Sequence, residues 1–215
     1  MILYPDQRTK LDTTEDTLFY AVPRFVTHVD DSFIHQLTNL YRQVLQTQTK
    51  VLDLMSSWVS HLPDEMTFAH VEGHGMNQEE LSKNPRLDHF FVQDLNINPH
   101  IPLPDQTFDA IINCVSVQYL QYPDAIFHEI YRILKPGGVV VISFSNRMFY
   151  QKAIQIWRES TEPHRLALVQ SYFKSVPGFT TPNVVANVSP TSGIRQWLGM
   201  GGGDPFYAII AHRKE

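Results

Sequence analysis

The feature that most restricts the fold is an alternation. Between residues 50 and 146, short apolar runs take turns with segments of helical composition. "KVLDLM" from Lys50, "TFAHVEGHG" from Thr67, "DHFFVQDLN" from Asp88, "FDAIINCVS" from Phe108 and "VVVISFSN" from Val139 have the length and side chains of buried strands. "NQEELSKNP" from Asn77 predicts a helix ending near Pro85. "YPDAIFHEIYRIL" from Tyr122 predicts a longer helix that stops at the turn "KPGG". Strands joined through helices argue for a mostly parallel sheet covered on both faces, an α/β fold of the Rossmann-like kind.

The flanks have a different texture. "YQKAIQIWRESTEPHRLALVQSYFKSV" predicts two helices broken at Pro163. "TPNVVANVSP" and "PFYAIIAHRK" predict two closing strands, paired antiparallel across the loop "LGMGGGDP". Residues 199–205 of that loop are glycine-rich, but they precede a strand, so a hairpin connection is expected there and not a phosphate cradle. At the other end, a polar arm gives way at Asp16 to an irregular aromatic segment. A helix then carries Phe33, Leu37, Leu40, Tyr41, Val44 and Leu45 at helical spacing, with Asp30, Asp31 or Ser32 available as N-cap. The expected organisation is an arm and cap helix over 1–47 and an α/β domain over 48–215.

Composition narrows the function classes. A chain of 215 residues can bury a sizeable core as one domain. Its net charge of −5, without a basic run, argues against nucleic acid as the main partner. The single cysteine, Cys114, excludes an intrachain disulfide and suits a reducing compartment. No signal-peptide pattern and no apolar run near the roughly 20 residues of a membrane helix are visible, so a cytoplasmic protein is expected. The ten histidines lack metal-ligand spacing, and no metal site is expected. Oligomeric state leaves no mark on the sequence.

In open α/β sheets, ligands bind beyond the carboxyl ends of the strands, where the strand order reverses. The residues ending the first four strands are Asp53, Gly75, Asp94 with Leu95, and Asn113 with Cys114. Spaced at about twenty residues, one βα unit apiece, they deliver four strand ends to one rim.

At this point "LPDQTFDAIINCVSVQYLQYPDAIFHEIYRILKPGGVVVISFSN" resembles the fourth- and fifth-strand region of the class I S-adenosylmethionine-dependent methyltransferases. The resemblance spans roughly residues 48–146 and includes Asp53 as the acidic end of strand one and "VQDLN" as the end of strand three. It implies S-adenosylmethionine as cofactor, with Asp53, Met55, Ser56, Gly75, Met76, Asn77, Asp94, Leu95, Cys114 and Val115 around it. Asp94 would accept from the adenine amino group while the next backbone N–H donates to the ring. Met55, Met76, Leu95 and Val115 would sandwich the adenine. Two departures stand out. Asp53 is followed by "LMSSWVSHLP" in place of a glycine-rich loop, and Gly75 stands where the family carries a ribose-clamping acid. Asn77, Glu72 or a backbone carbonyl are the available substitutes for that clamp.

Methyl transfer is an in-line displacement, for which positioning and desolvation matter more than covalent help. In the family, residues after strand four face the transferred methyl. Here these are Ser116, Gln118 and Tyr119, and the last two can hydrogen-bond an acceptor. The aromatic segment with Tyr20, Arg24, Phe25, His28 and His35 is the other candidate wall. Arg24 suits a carboxylate, and His28 suits a base at neutral pH. Gln118, Tyr119 and His28 are thus the catalytic candidates of a methyltransferase acting on a small molecule. The altered loop leaves open a non-catalytic ligand-binding or interaction protein on the same scaffold. A nicotinamide-dependent oxidoreductase is the weakest alternative, because it would require G-x-G-x-x-G after strand one.

Overall fold

The computed structural model describes residues 2–187 and 203–215. Seven strands form one sheet in the order β3-β2-β1-β4-β5-β7-β6. They are β1 (Lys50–Leu54), β2 (His70–Gly75), β3 (His89–Val92), β4 (Phe108–Cys114), β5 (Leu134–Phe144), β6 (Asn183–Asn187) and β7 (Phe206–His212). β1 pairs parallel with both β2 and β4, so the order reverses between β1 and β4. β7 pairs antiparallel with β5 and with β6. Much of the loop joining β6 to β7, where the glycine-rich stretch from Gly199 begins, lies outside the described residues.

Period-two alternation sorts the strand residues onto two faces. Leu52, Leu54, Ile111, Val140 and Ile142 meet Ile126, Phe127 and Ile130 of α4 (Pro123–Ile133) and Val169, Tyr172 and Phe173 of α6 (Glu162–Lys174). On the opposite face Val51, Val71, Ala110, Ile112, Val139 and Val141 meet Phe33, Leu37, Leu40 and Tyr41 of α2 (Asp31–Val44). Each fully buried aliphatic or aromatic side chain contributes about 1.5–3 kcal/mol relative to exposure. The helices therefore anchor both faces of the sheet and fix its strand ends relative to one another.

Two local expectations are corrected. Pro163 does not break the helices apart; it sits in the first turn of α6, where its missing N–H costs nothing, and the break falls at Ser160 after α5 (Gln155–Glu159). "KPGG" is not a turn ahead of strand five but a bulge within it. Phe108 pairs with Leu134 and Ala110 with Val139, and Gly137 takes φ +76 where a Cβ would meet open space. Asp30 is the cap chosen for α2, accepting the Phe33 N–H at 2.9 Å.

Among the described residues no helix is long and apolar enough to cross a membrane.

Candidate functional site

The ends of β1, β2, β3 and β4 open onto one cavity of about 1140 Å³, part of it open to solvent. All ten residues expected around a cofactor line it: Asp53, Met55, Ser56, Gly75, Met76, Asn77, Asp94, Leu95, Cys114 and Val115. A crevice at the point of strand reversal is where an open α/β sheet has room for a ligand.

Backbone strain marks two of these strand ends. Met55 and Val115 adopt φ of +60 and +50, although neither is glycine and Val115 is β-branched. Local hydrogen bonds hold both. Val115 donates its N–H to the Ser143 carbonyl at 2.8 Å, and its own carbonyl accepts from Gln118 Nε2 at 2.8 Å. The Met55 N–H donates to His74 Nδ1 at 3.1 Å. Strain of this kind persists only where the surroundings over-determine it, and it concentrates at binding sites.

The loop after β1, which carries no glycine, lies against β2. The Ser56 N–H donates to the His74 carbonyl at 2.6 Å. In consequence a Cβ on Gly75 would stand 2.5 Å from the Ser56 carbonyl oxygen. The position where the family carries an acidic clamp therefore cannot take a side chain unless the loop after β1 shifts. Trp58 leaves the cavity and donates its Nε1–H to the Val26 carbonyl at 3.1 Å, beside the ring of Phe25. Asp53 sits buried beneath the loop, accepting from Ser56 Oγ at 2.6 Å. Burial outweighs the Ser56 and Ser60 hydroxyls there and raises its carboxyl to about 6.

Two of the three possible substitutes for the clamp, Asn77 and Glu72, have partners elsewhere. Asn77 caps α3 (Gln78–Lys83) through Oδ1 and donates Nδ2 to the Tyr20 and Ala21 carbonyls at 2.7 and 3.2 Å. Glu72 lies in mid-strand between His70 Nε2 and His89 Nδ1, at 2.8 and 2.6 Å, outside the cavity wall. Besides Asp16, Asp53 and Asp94, the cavity is lined by one more carboxylate, Glu80, which the sequence did not single out. It is buried, accepts the Arg24 N–H at 2.6 Å through Oε1, and has its carboxyl raised by burial. It stands three residues after the N-cap Asn77, whose Oδ1 accepts the Glu80 N–H at 3.0 Å.

At β3, Asp94 Oδ1 accepts the Asn96 N–H at 2.8 Å, while Oδ2 carries no hydrogen bond among the described residues. Cys114 lies half-buried in the wall with its thiol pushed up to about 12 by burial. Ser116 lines the cavity as well, and its buried Oγ has no hydrogen-bond partner among the described residues.

The segment ahead of α2 forms the outer wall through Asp16, Tyr20, Arg24, Val26, Thr27, His28 and Val29, with α1 (Asp16–Phe19) at its start. It is pinned from below. Lys152, with no exposed surface, donates Nζ to the Thr14 carbonyl at 2.7 Å and lies 3.2 Å from Asp12 and 3.3 Å from Asp16. Asp16 also pairs with Lys10 and accepts from Asn96 Nδ2 at 3.2 Å. Helix α2 itself supplies no lining residue, so His35, on its exposed side beside Asn39, is not part of the wall. Phe25 likewise points outward.

The catalytic candidates separate. His28 and Tyr119 line the cavity. His28 packs edge-on against Phe149 with part of its side chain exposed, and partial desolvation with Arg24 nearby lowers its pKa below 6.5, which favours the neutral ring at pH 7. The Tyr119 hydroxyl accepts the Phe149 N–H at 2.8 Å, and burial raises it to about 12. Gln118 does not reach the cavity. It is fully buried in the short turn Val117–Tyr119, bound to the Val115 carbonyl, and it supports the strained strand end.

Residues 65–142 match the family model described as a methyltransferase domain. A probable S-adenosylmethionine-dependent methyltransferase of Mycolicibacterium smegmatis is 31% identical over 87 residues, which cover 40% of this chain and 29% of that protein. A phosphoethanolamine N-methyltransferase 2 of Haemonchus contortus, solved with S-adenosyl-L-methionine, superposes with a TM-score of 0.59 at 16% identity, covering 84% of this chain and 52% of that one. A chain of the complex between the Haloferax volcanii Trm112 methyltransferase activator and a methyltransferase gives 0.60 at 16% identity, covering 86% and 92%. This chain thus spans under a third of the curated relative and about half of the Haemonchus contortus enzyme. The structural likenesses concern the fold, and the matched segment holds β2 through most of β5. Residues 65–142 are thus similar to a methyltransferase domain, and the chain as a whole shares the fold of solved S-adenosylmethionine-dependent methyltransferases.

Proposed function

We propose that the chain is an S-adenosylmethionine-dependent methyltransferase acting on a small molecule. The observation that carries this reading is the convergence of Asp53, Gly75, Asp94 and Val115, from four strand ends, on one cavity. The cofactor supplies an electrophilic methyl group on a positively charged sulfur, beside an ammonium, a carboxylate, a ribose and an adenine.

The wall suits such a ligand. Asp53, Glu80 and Asp94 line it, and their carboxylates favour a cationic occupant. Asp94 Oδ2 and the Leu95 N–H would hold the adenine, with Leu95, Met76 and Val115 against its faces. Glu80 would take the ribose hydroxyls in place of the excluded Gly75 side chain. Asp53 would attract the ammonium and Arg24 the carboxylate, while the Ser116 hydroxyl gains the partner it lacks within the protein. His28, whose neutral ring is favoured at pH 7, would accept at an imidazole nitrogen the proton of a weakly acidic acceptor.

One observation favours a second reading, a scaffold that binds the cofactor without turnover. The loop after β1 lies against β2 through Ser56 and has no glycine to let the backbone approach a ligand closely.

Calorimetric titration with S-adenosylhomocysteine separates these outcomes. Micromolar binding that Asp94→Ala weakens about tenfold or more supports the cofactor site. Binding without methyl transfer to any tested small molecule supports the second reading. No heat and no thermal shift in the folded protein refute both.

A further inference from the structure

A shallower hollow of about 440 Å³ adjoins the cavity, walled by His28, Val115, Tyr119, Arg147, Met148 and Phe149. Four of these, His28, Val115, Tyr119 and Phe149, also line the first cavity, so the two spaces share a wall. A molecule in the hollow therefore approaches whatever occupies the cavity past His28.

The two spaces differ in charge. Carboxylates of Asp16, Asp53, Glu80 and Asp94 line the cavity, whereas the hollow has none among the described residues of its wall and carries the Arg147 guanidinium, paired behind the wall with Asp204. Arg147 is aimed by its neighbours. Its Nε donates to Asp204 Oδ1 at 2.7 Å, and Asp204 is in turn fixed by Asp30, each accepting the other's backbone N–H, at 3.0 and 2.6 Å. With Nε engaged, the two terminal nitrogens carry no hydrogen bond among the described residues. A pair of parallel donors matches the two oxygens of one carboxylate, whereas a phosphate dianion would call for further cations, of which the wall has none among the described residues. The remaining surface is apolar, formed by Met148 and the stacked rings of Tyr119 and Phe149, whose centroids lie 6.0 Å apart.

We propose that this hollow is the acceptor site and selects a small apolar molecule bearing a carboxylate. Arg147 grips the carboxylate, Met148, Phe149 and Tyr119 cover the apolar body, and the nucleophilic hydroxyl or amine turns to His28 at the shared wall. The assignment rests on the first cavity being the methyl-donor site.

The test titrates the whole protein first with S-adenosylhomocysteine. The loaded protein is then titrated with benzoate and hexanoate, and with benzyl alcohol and 1-hexanol as their neutral counterparts, followed by saturation-transfer NMR and the His28 ring resonances. The carboxylates should bind about tenfold tighter than the alcohols and shift His28. Arg147→Gln should erase that preference while leaving the alcohols and S-adenosylhomocysteine unaffected. Equal binding of acids and alcohols, no binding of any probe, or an unchanged preference in Arg147→Gln would overturn the proposal. If Arg147→Gln fails to fold, the comparison of acids with alcohols on the wild type still decides. Failure of S-adenosylhomocysteine to bind would instead overturn the donor-site reading, and the acid preference is then measured on the unloaded protein.

Discussion

The backbone of Met55 and the ring of His74 are tied together: the Met55 N–H donates to His74 Nδ1 at 3.1 Å, across the ends of β1 and β2. With Nδ1 accepting, the ring proton resides on Nε2 and donates to the Gln93 carbonyl, 3.0 Å away at the end of β3. One buried imidazole thus joins three neighbouring strand ends beneath the cavity. His74→Phe preserves bulk but leaves two buried backbone groups unpaired. It should destabilise the protein by about 2–4 kcal/mol in urea unfolding and weaken S-adenosylhomocysteine binding in parallel.

The same burial sets an acid limit. His74 and His61 are each lowered from 6.5 to about 4 by burial, so the folded state prefers both rings neutral. Their contribution is complete above pH 6.5 and is lost as pH falls from 6.5 towards 4. Asp53, raised to about 6, works against this, because it favours the folded state increasingly as pH falls below 6. Two imidazoles outweigh one carboxyl, and a net loss of about 3 kcal/mol is expected between pH 7 and 4. Urea midpoints across that range measure it, and His74→Phe should flatten the slope.

Asp53 also makes ligand binding proton-linked. A cationic ligand group beside its carboxyl stabilises the charged form and lowers its pKa. S-adenosylhomocysteine binding at pH 6 should release roughly half a proton, and binding at pH 8 none. Calorimetry in buffers of different ionisation enthalpy counts the protons, and Asp53→Asn should abolish the release.

Gly75→Asp restores the family's acidic residue on paper only. Its Cβ would stand 2.5 Å from the Ser56 carbonyl, so the loop after β1 must lift. The variant should lose about 2 kcal/mol or more of stability and bind S-adenosylhomocysteine more weakly, as read from a thermal melt and a titration. Glu80→Gln keeps an acceptor for the Arg24 N–H and should fold normally while losing affinity.

Lys152 pins the outer wall. Lys152→Met leaves Asp12 and Thr14 without their buried cation and should free the segment around residues 12–29. Limited proteolysis should then cut there, with a stability loss of about 3 kcal/mol.

Much of the fold was legible because βα alternation is a period signal, carried by many residues at once. Pro163 and "KPGG" were misplaced for local reasons: a proline tolerated in a first helical turn looks like a breaker, and a bulge looks like a turn. The strand-end residues were legible because topology alone sends them to one rim. Gln118 and Glu80 were not. Whether a side chain in a short turn faces the core or the cavity depends on two or three dihedral angles that no spacing reveals. Glu80 reaches the cavity because the segment carrying Arg24 folds back over it, a contact between residues far apart in sequence.

The most direct test is a crystal structure of the protein with S-adenosylhomocysteine. The expected result is an adenine ring between Leu95 and Val115, its amino group on Asp94 Oδ2, and the ribose on Glu80. Ligand density elsewhere on the molecule, or an adenine that leaves Asp94 untouched, would contradict a donor site formed by these four strand ends.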